Sequence, residues 1–300
     1  LNAADTWHAA LHRLQREGLP HVLATQVTSA GSTPREPGAR MVITADAVFD
    51  TLGGGTFEWQ TIAAAREKLA AGEAGMSLEA FSLGGRSGQC CGGFVNVLLE
   101  VFPGSGTTLA LFGAGHVGRN VVQLAAPLGW RMLWFDSREG AFPSWAGEQP
   151  RLSCHAVVEV KSAVATLPSG AHALVMTHDH SEDRALVSAL LARGNCASLG
   201  LIGSQSKWAS FRAWLSREGH DEAALAKVRC PLGMASGSNV DKSNIDKTKG
   251  GDKTPYAIAL ATVAELLPLA TTPVRGEQRG LSREALKPLF STPSVHPDDT

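Results

Sequence analysis

The run TLALFGAGHVG at residues 108–118 constrains the fold of this chain more than any other segment. An apolar, strand-like stretch ends on Gly113, Gly115 and Gly118, spaced as Gly-x-Gly-x-x-Gly. An apolar helical stretch follows, and a second strand-like run, RMLWFD at residues 131–136, ends on Asp136. This is the pattern of a βαβ unit. Gly113 permits the tight strand-to-helix turn, Gly115 lets a phosphate approach the backbone, and Gly118 lets the helix pack closely on the strand. Asp136 lies about twenty residues beyond the glycines, where an acidic side chain accepts from a ribose hydroxyl. The spacing predicts a Rossmann-type fold; which ligand it serves does not follow from the fold.

Beyond this unit the alternation continues. Strand-like runs near 155–158, 172–177 and 197–202 interleave with helical patterns near 160–166, 181–193 and 205–217. Such alternation implies a parallel sheet covered by helices on both faces. Ligands of these folds lie outside the carboxyl ends of the strands, where the strand order reverses. A polar stretch over 235–254, rich in Ser, Gly, Asn, Asp and Lys, reads as an inserted, solvated loop. Helical periodicity resumes over 256–269, with Pro255 suited to its first turn.

Upstream the order is mixed. Helical spacing over residues 1–18 stops at Gly18, Leu19 and Pro20, and strand-like runs occupy 21–29, 40–44, 48–52, 81–83 and 94–102. Residues 56–71 read as a helix capped by Thr56, with Glu58 in its first turn. Turn-formers cluster at Pro103, Gly104, Ser105 and Gly106, the natural linker. The expected class is therefore α/β. A smaller α+β domain over residues 1–105 precedes a Rossmann-like parallel-sheet domain over 106–272. Residues 273–300, with four prolines, form a tail holding at most one short helix near 282–289.

Composition narrows the function classes. Three hundred residues at 44% hydrophobic suffice for two cores. A formal net charge of -1 and a pI near 6.9 leave no electrostatic footprint for nucleic acid or an anionic membrane surface. No apolar run is long enough to span a bilayer, and residues 1–17 read as an amphipathic helix rather than a signal peptide. A cytoplasmic location is expected. Five cysteines, an odd number without any Cys-x-x-Cys, argue against a disulfide framework or a zinc ribbon. Cys154 and Cys196, set among apolar neighbours, read as free thiols.

Five segments could carry chemistry. Ser32, Thr33 and Arg35 group hydroxyls and a guanidinium in a proline-stiffened loop, suited to an anionic or carbonyl-rich ligand; a plain hairpin loop explains them too. Gly54 and Gly55 open a helix with unprotected amides that could hold an anion, or merely cap it. Gln89, Cys90 and Cys91 lie between glycines near Arg86, so the thiols are accessible and suit soft metals or sulfur chemistry, unless they simply pack. His178, Asp179 and His180 end a strand. They fail the His-x-His-x-Asp-His spacing of a dinuclear zinc hydrolase, and Asp179 or Ser181 as a helix cap explains them more simply. Gly203, Ser204 and Lys207 form another strand-to-helix turn with phosphate-binding chemistry.

Taken together these motifs are similar to a known family. Ser32 to Arg35 with Pro37 and Gly38, the glycines at 53–55, Gly88 to Gly93 around Cys90 and Cys91, and residues 112–118 match in order and spacing. So do residues 177–180, residues 200–204, and Cys230, Pro231 and Gly233. On these residues the chain resembles the xanthine dehydrogenase accessory proteins, the XdhC/CoxI family. The resemblance implies a cytoplasmic factor, often a homodimer, that binds molybdenum cofactor (molybdopterin). Such a factor protects the cofactor while a cysteine desulfurase supplies its sulfido ligand, then delivers it to xanthine dehydrogenase or a related molybdenum hydroxylase. It implies a chaperone rather than a catalyst. Cofactor contacts then fall to Ser32, Thr33, Arg35, Gly54, Gly55, Gln89, Gly113, Gly115, His116, Gly118, Asp136, Arg138, His178, Asp179, His180, Gly203, Ser204 and Lys207. Cys90 and Cys91 would meet the molybdenum end. The family usually passes quickly from its Cys-Pro-x-Gly segment to the last helix, whereas this chain inserts the polar stretch. The rival reading is an NAD(P)-dependent oxidoreductase, for which His178, His180 or Lys207 would supply the proton donor. A structural adaptor with an empty Rossmann domain is a third.

Overall fold

The strands of the first half of the chain pair antiparallel and those of the second half parallel, so the two halves build sheets of different kind. The computed structural model describes residues 6–30, 35–82, 94–232 and 254–270, with 280–282, 284, 286 and 287 near the C terminus. Two compact units divide after Gly104.

In the first unit α1 (Trp7–Glu17) ends at Gly18, whose φ of 66° is the left-handed C-cap conformation that glycine adopts without strain. Then follow β1 (His21–Ala30), β2 (Arg40–Ile43), β3 (Val48–Phe49), α2 (Gly55–Ala70), β4 (Gly75–Ser82) and β5 (Phe94–Phe102). The five strands pair antiparallel in the order β3-β2-β1-β5-β4. Period-two side-chain alternation sends Val22 and Ala24 into one core with Met41, Phe57 and Val97, and Leu23 into a second with Ala10 and Leu14 of α1. Two expectations change here. Gly54, not Thr56, is the N-cap of α2, and it offers no side chain. The strand expected over 81–83 begins six residues earlier, at Gly75, because pairing along β5 outweighs its weak local alternation.

The second unit carries β6 (Thr108–Phe112), α3 (His116–Ala125), β7 (Arg131–Asp136), β8 (Leu152–Ala156) and α4 (Val160–Ala165). After these come β9 (His172–Val175), α5 (His180–Arg193), β10 (Ser198–Leu201), α6 (Gln205–Arg217), α7 (Glu222–Leu225), β11 (Val228–Arg229) and α8 (Pro255–Ala270). All six strands are parallel, in the order β11-β10-β9-β6-β7-β8. Counted from β6 this is the Rossmann order 3-2-1-4-5-6, and it reverses between β6 and β9. Both faces are covered. Leu109, Leu111, Met132 and Trp134 pack with α3 and α8, while Ala110, Phe112, Leu133 and Phe135 pack with α4, α5 and α6. That double burial is why these strands read as unbroken apolar runs. The pairs β10–β11 and helix α7 were not legible, being two and four residues long. Cys154, expected among apolar neighbours, is exposed on the edge strand β8. No helix among the described residues is long and apolar enough to cross a membrane.

Candidate functional site

The carboxyl ends of β6, β7, β9 and β10 gather four of the segments singled out from the sequence. At the end of β6 the glycines behave as their spacing predicts. Gly113 has φ of 118°, and a Cβ there would lie 2.2 Å from the carbonyl oxygen of Met176 at the end of β9. At Gly118 a Cβ would lie 2.1 Å from the carbonyl oxygen of Gly113. That same carbonyl accepts from the indole Nε1 of buried Trp134 at 3.0 Å, which fixes the turn against β7. Gly115 differs: among the described residues nothing lies within 4 Å of its Cβ position, so they leave the turn open on that side. It is the N-cap of α3 and gives the helix no side-chain cap. The first amides of α3 therefore have no side-chain cap among the described residues, the arrangement that attracts anions. His116 is exposed beside them and lines a cavity of about 380 Å³ with Arg119, Asn120, Trp145 and Tyr256.

Asp136 is not the free ribose acceptor that its position suggested. Its side chain is 2% exposed. Oδ2 accepts from the amide of Ala114 at 2.6 Å and from Arg138 Nη2 at 2.9 Å. Oδ1 accepts from the Arg138 amide at 2.9 Å and Nε at 3.0 Å. Burial by itself would raise the carboxyl's pKa, but these bonds and the guanidinium charge outweigh it and hold it at about 2. The acid thus locks the glycine turn to the end of β7 and orients Arg138.

Asp179 caps α5, accepting from the amides of Ser181 at 2.7 Å and Glu182 at 2.9 Å; the Ser181 hydroxyl also donates to it. The Ser181 hydroxyl and these amides hold Asp179 at about 2. His178 and His180 are both exposed. His178 Nδ1 lies 3.9 Å from Glu182, to which the Ser137 hydroxyl donates at 3.0 Å, so the loops after β7 and β9 meet across β6. The His180 ring meets Phe211 edge-on at 6.3 Å.

The turn after β10 is likewise closed on itself. Ser204 caps α6 by accepting from the Lys207 amide at 3.2 Å. A Cβ at Gly203 would meet the Lys207 stem at 2.6 Å. Lys207, expected to hold phosphate, instead donates to Asp183 at 2.7 Å and to the Ile202 carbonyl at 3.0 Å. Asp183 is fully buried and accepts on its other oxygen from the amide (3.0 Å) and hydroxyl (2.8 Å) of Thr177. Burial of a carboxylate demands such pairing. Burial also pushes the nearby Cys230 thiol up to about 11, with Lys207 opposing and Asp183 adding. Asp183 and Glu182 were missed as structural members of the site; both fall in the first turn of α5, where acids favour the helix dipole.

In the first unit the glycine turn before α2 has its own anion. Glu58 Oε2 accepts from the amides of Leu52 at 2.8 Å and Gly54 at 3.1 Å, and the Thr51 hydroxyl also donates to it. The open amides expected at Gly54 are thus engaged from within; Gly55 follows, exposed, as the first residue of α2. Arg35 is exposed, with its carbonyl accepting from Gln26. Ser32, Thr33, Gln89, Cys90 and Cys91 lie outside the described residues, as do most of the polar insertion and of the tail. Among the described residues no group of three His, Cys, Asp or Glu could hold a metal ion.

The description "XdhC Rossmann domain" matches residues 109–243, and "XdhC and CoxI family" matches residues 14–81. The chain belongs to the XdhC/CoxI family. A curated relative, the uncharacterized protein YqeB of Escherichia coli (strain K12), is 30% identical over 259 residues, covering 85% of this chain and 44% of YqeB. This XdhC/CoxI chain therefore spans less than half the length of that relative. Among solved structures, a Bacillus halodurans protein described as a xanthine dehydrogenase is 18% identical, covering 89% of this chain and 97% of its own, at a TM-score of 0.41. An imine reductase variant from Myxococcus stipitatus in complex with NAD+ is 19% identical over 38% of each chain, at a TM-score of 0.29.

Proposed function

We propose that this XdhC/CoxI chain is a molybdenum cofactor chaperone. It binds the cofactor, protects it while a cysteine desulfurase installs the terminal sulfido ligand, and delivers it to xanthine dehydrogenase or a related molybdenum hydroxylase. It acts as a homodimer and catalyses no reaction itself. Family membership supports the reading, and one observation carries it. Along the carboxyl edge of the sheet α5 and α6 are capped by their own Asp179 and Ser204, whereas α3, at the strand-order reversal, begins without a side-chain cap at Gly115, whose Cβ position meets none of the described residues.

The residues fit the cofactor's phosphate end. The amides of Gly115 and His116 and the guanidinium of Arg138 would hold phosphate, with Gly113 and Gly118 shaping the turn. His178 and His180 line the same edge and would meet the polar pterin. Lys207 and Asp136 serve from behind, one fixing α5 to α6 and the other fixing Arg138. The bound group supplies a molybdenum centre held by sulfur ligands; Cys90 and Cys91, if they contact it, would do so as soft donors. Ser32, Thr33, Arg35 and Gln89 complete the proposed set.

The oxidoreductase reading loses support at two residues. Asp136 is committed to Ala114 and Arg138, and Lys207 to Asp183, which leaves only the exposed histidines as proton donors. Reconstitution separates the two. Added to cofactor-free xanthine dehydrogenase with molybdenum cofactor supplied, the chain should raise the activity recovered. No increase, combined with saturable NADH or NADPH binding, would overturn the chaperone reading.

A further inference from the structure

The end of β7 shows an acid and a base that have exchanged their usual roles. In dinucleotide-binding sheets the acid at this position accepts from the ribose hydroxyls. Here Asp136 already receives four N–H bonds, two on each oxygen, and its side chain is 2% exposed. A ribose diol arriving at this point would find no acceptor without breaking one of those bonds.

The ligand would instead meet Arg138. Its Nε and one Nη2 proton are spent on Asp136, so three of the five guanidinium N–H groups remain, and no other partner engages them among the described residues. The side chain is 42% exposed, yet its plane is fixed by the paired bonds to a buried carboxylate. A guanidinium with only donors to offer, held in one orientation, is a receptor for an anion with several acceptor oxygens. Glu182 lies close enough to favour the charged guanidinium, but it accepts from the Ser137 hydroxyl and faces His178 at 3.9 Å.

We infer that the β7 end of this crevice selects a phosphomonoester over a ribose diol, and that Arg138 is the residue that reads it. The inference rests on the reading that the ligand lies along the carboxyl ends of β6 and β7. Two sources carry the required chemistry: the terminal phosphate of a phosphorylated pterin and the 2′-phosphate of an adenine nucleotide.

Isothermal titration of the full chain distinguishes them. One arm compares adenosine 2′,5′-bisphosphate with adenosine 5′-monophosphate; the other compares molybdenum cofactor with its dephosphorylated form. In at least one arm the added phosphate should tighten binding about tenfold or more, the scale of a charge-assisted hydrogen bond. Arg138→Gln should erase the advantage of the added phosphate, and Arg138→Lys should retain part of it. Thermal melting of both variants shows whether they fold, and the wild-type comparison stands without them. Phosphate-independent binding in both arms overturns the inference while leaving the chaperone reading intact. No binding in either arm overturns both.

Discussion

Gly54 and Gly115 each stand at the N-cap of a helix without offering it a side chain. Before α2 the chain supplies its own anion: Glu58 folds back onto the amides of Leu52 and Gly54. Before α3 the nearest acid, Asp136, reaches only Ala114, one residue short of the cap. The amides of Gly115 and His116 keep no partner among the described residues. A glycine-rich helix start supplies donors in both places, and what differs is whether the sequence brings a carboxylate to them. Self-satisfied turns stabilise the fold. Unsatisfied ones are where a ligand adds something.

The strongest test of this contrast is the third such turn, after β10. Lys207→Met would strand the buried Asp183 carboxylate, and the loss should be about 3–5 kcal/mol in denaturant unfolding. A loss under about 1 kcal/mol would mean the pair is not structural and Lys207 is free for a ligand after all. Next in size is Gly113→Ala, where a Cβ would overlap the Met176 carbonyl and the backbone is at φ 118°. It should cost about 3 kcal/mol or more, whereas Gly115→Ala, with open space around it, should stay within about 1 kcal/mol.

Acid titration addresses Asp136. Its folded pKa of about 2 lies below the ordinary 3.8, so its contribution is fully present above the unfolded value and is lost as pH falls through the folded one. Stability of the second unit should fall by about 1–2 kcal/mol from this group between roughly pH 5 and pH 2, allowing for solvent screening at half-exposed Arg138. In Asp136→Asn that part of the slope should vanish. The smallest effect is at Glu58. Glu58→Ala should cost about 1 kcal/mol and, by baring the turn, make the melting temperature of the first unit more responsive to sulfate than wild type. No gain in sulfate response would break the comparison between the two turns.

Much of this was legible in the sequence. The glycine spacing and the regular βα alternation predicted the parallel sheet, and the strand over 94–102 and the helix over 205–217 are found at those bounds. What stayed hidden was partnership. Asp136 with Arg138, Asp183 with Lys207, and Glu58 with the amides of Leu52 and Gly54 are pairings of a side chain with another side chain or with backbone. Periodicity reports which face a residue takes, not what its polar atoms meet once there. Hence the sequence named Lys207, Asp136 and Arg138 alike as ligand groups, whereas the structure shows Lys207 and Asp136 bonded within the protein and the Arg138 side chain 42% exposed.

The central claim is that this edge of the XdhC/CoxI fold receives molybdenum cofactor. Its most direct test is isothermal titration of the purified chain with molybdenum cofactor, beside the Gly115→Ala variant with its folded state checked by melting. Saturable binding, weakened in the variant without loss of fold, is the predicted result. Absence of binding to the wild-type chain, or equal affinity in a folded Gly115→Ala, would contradict it.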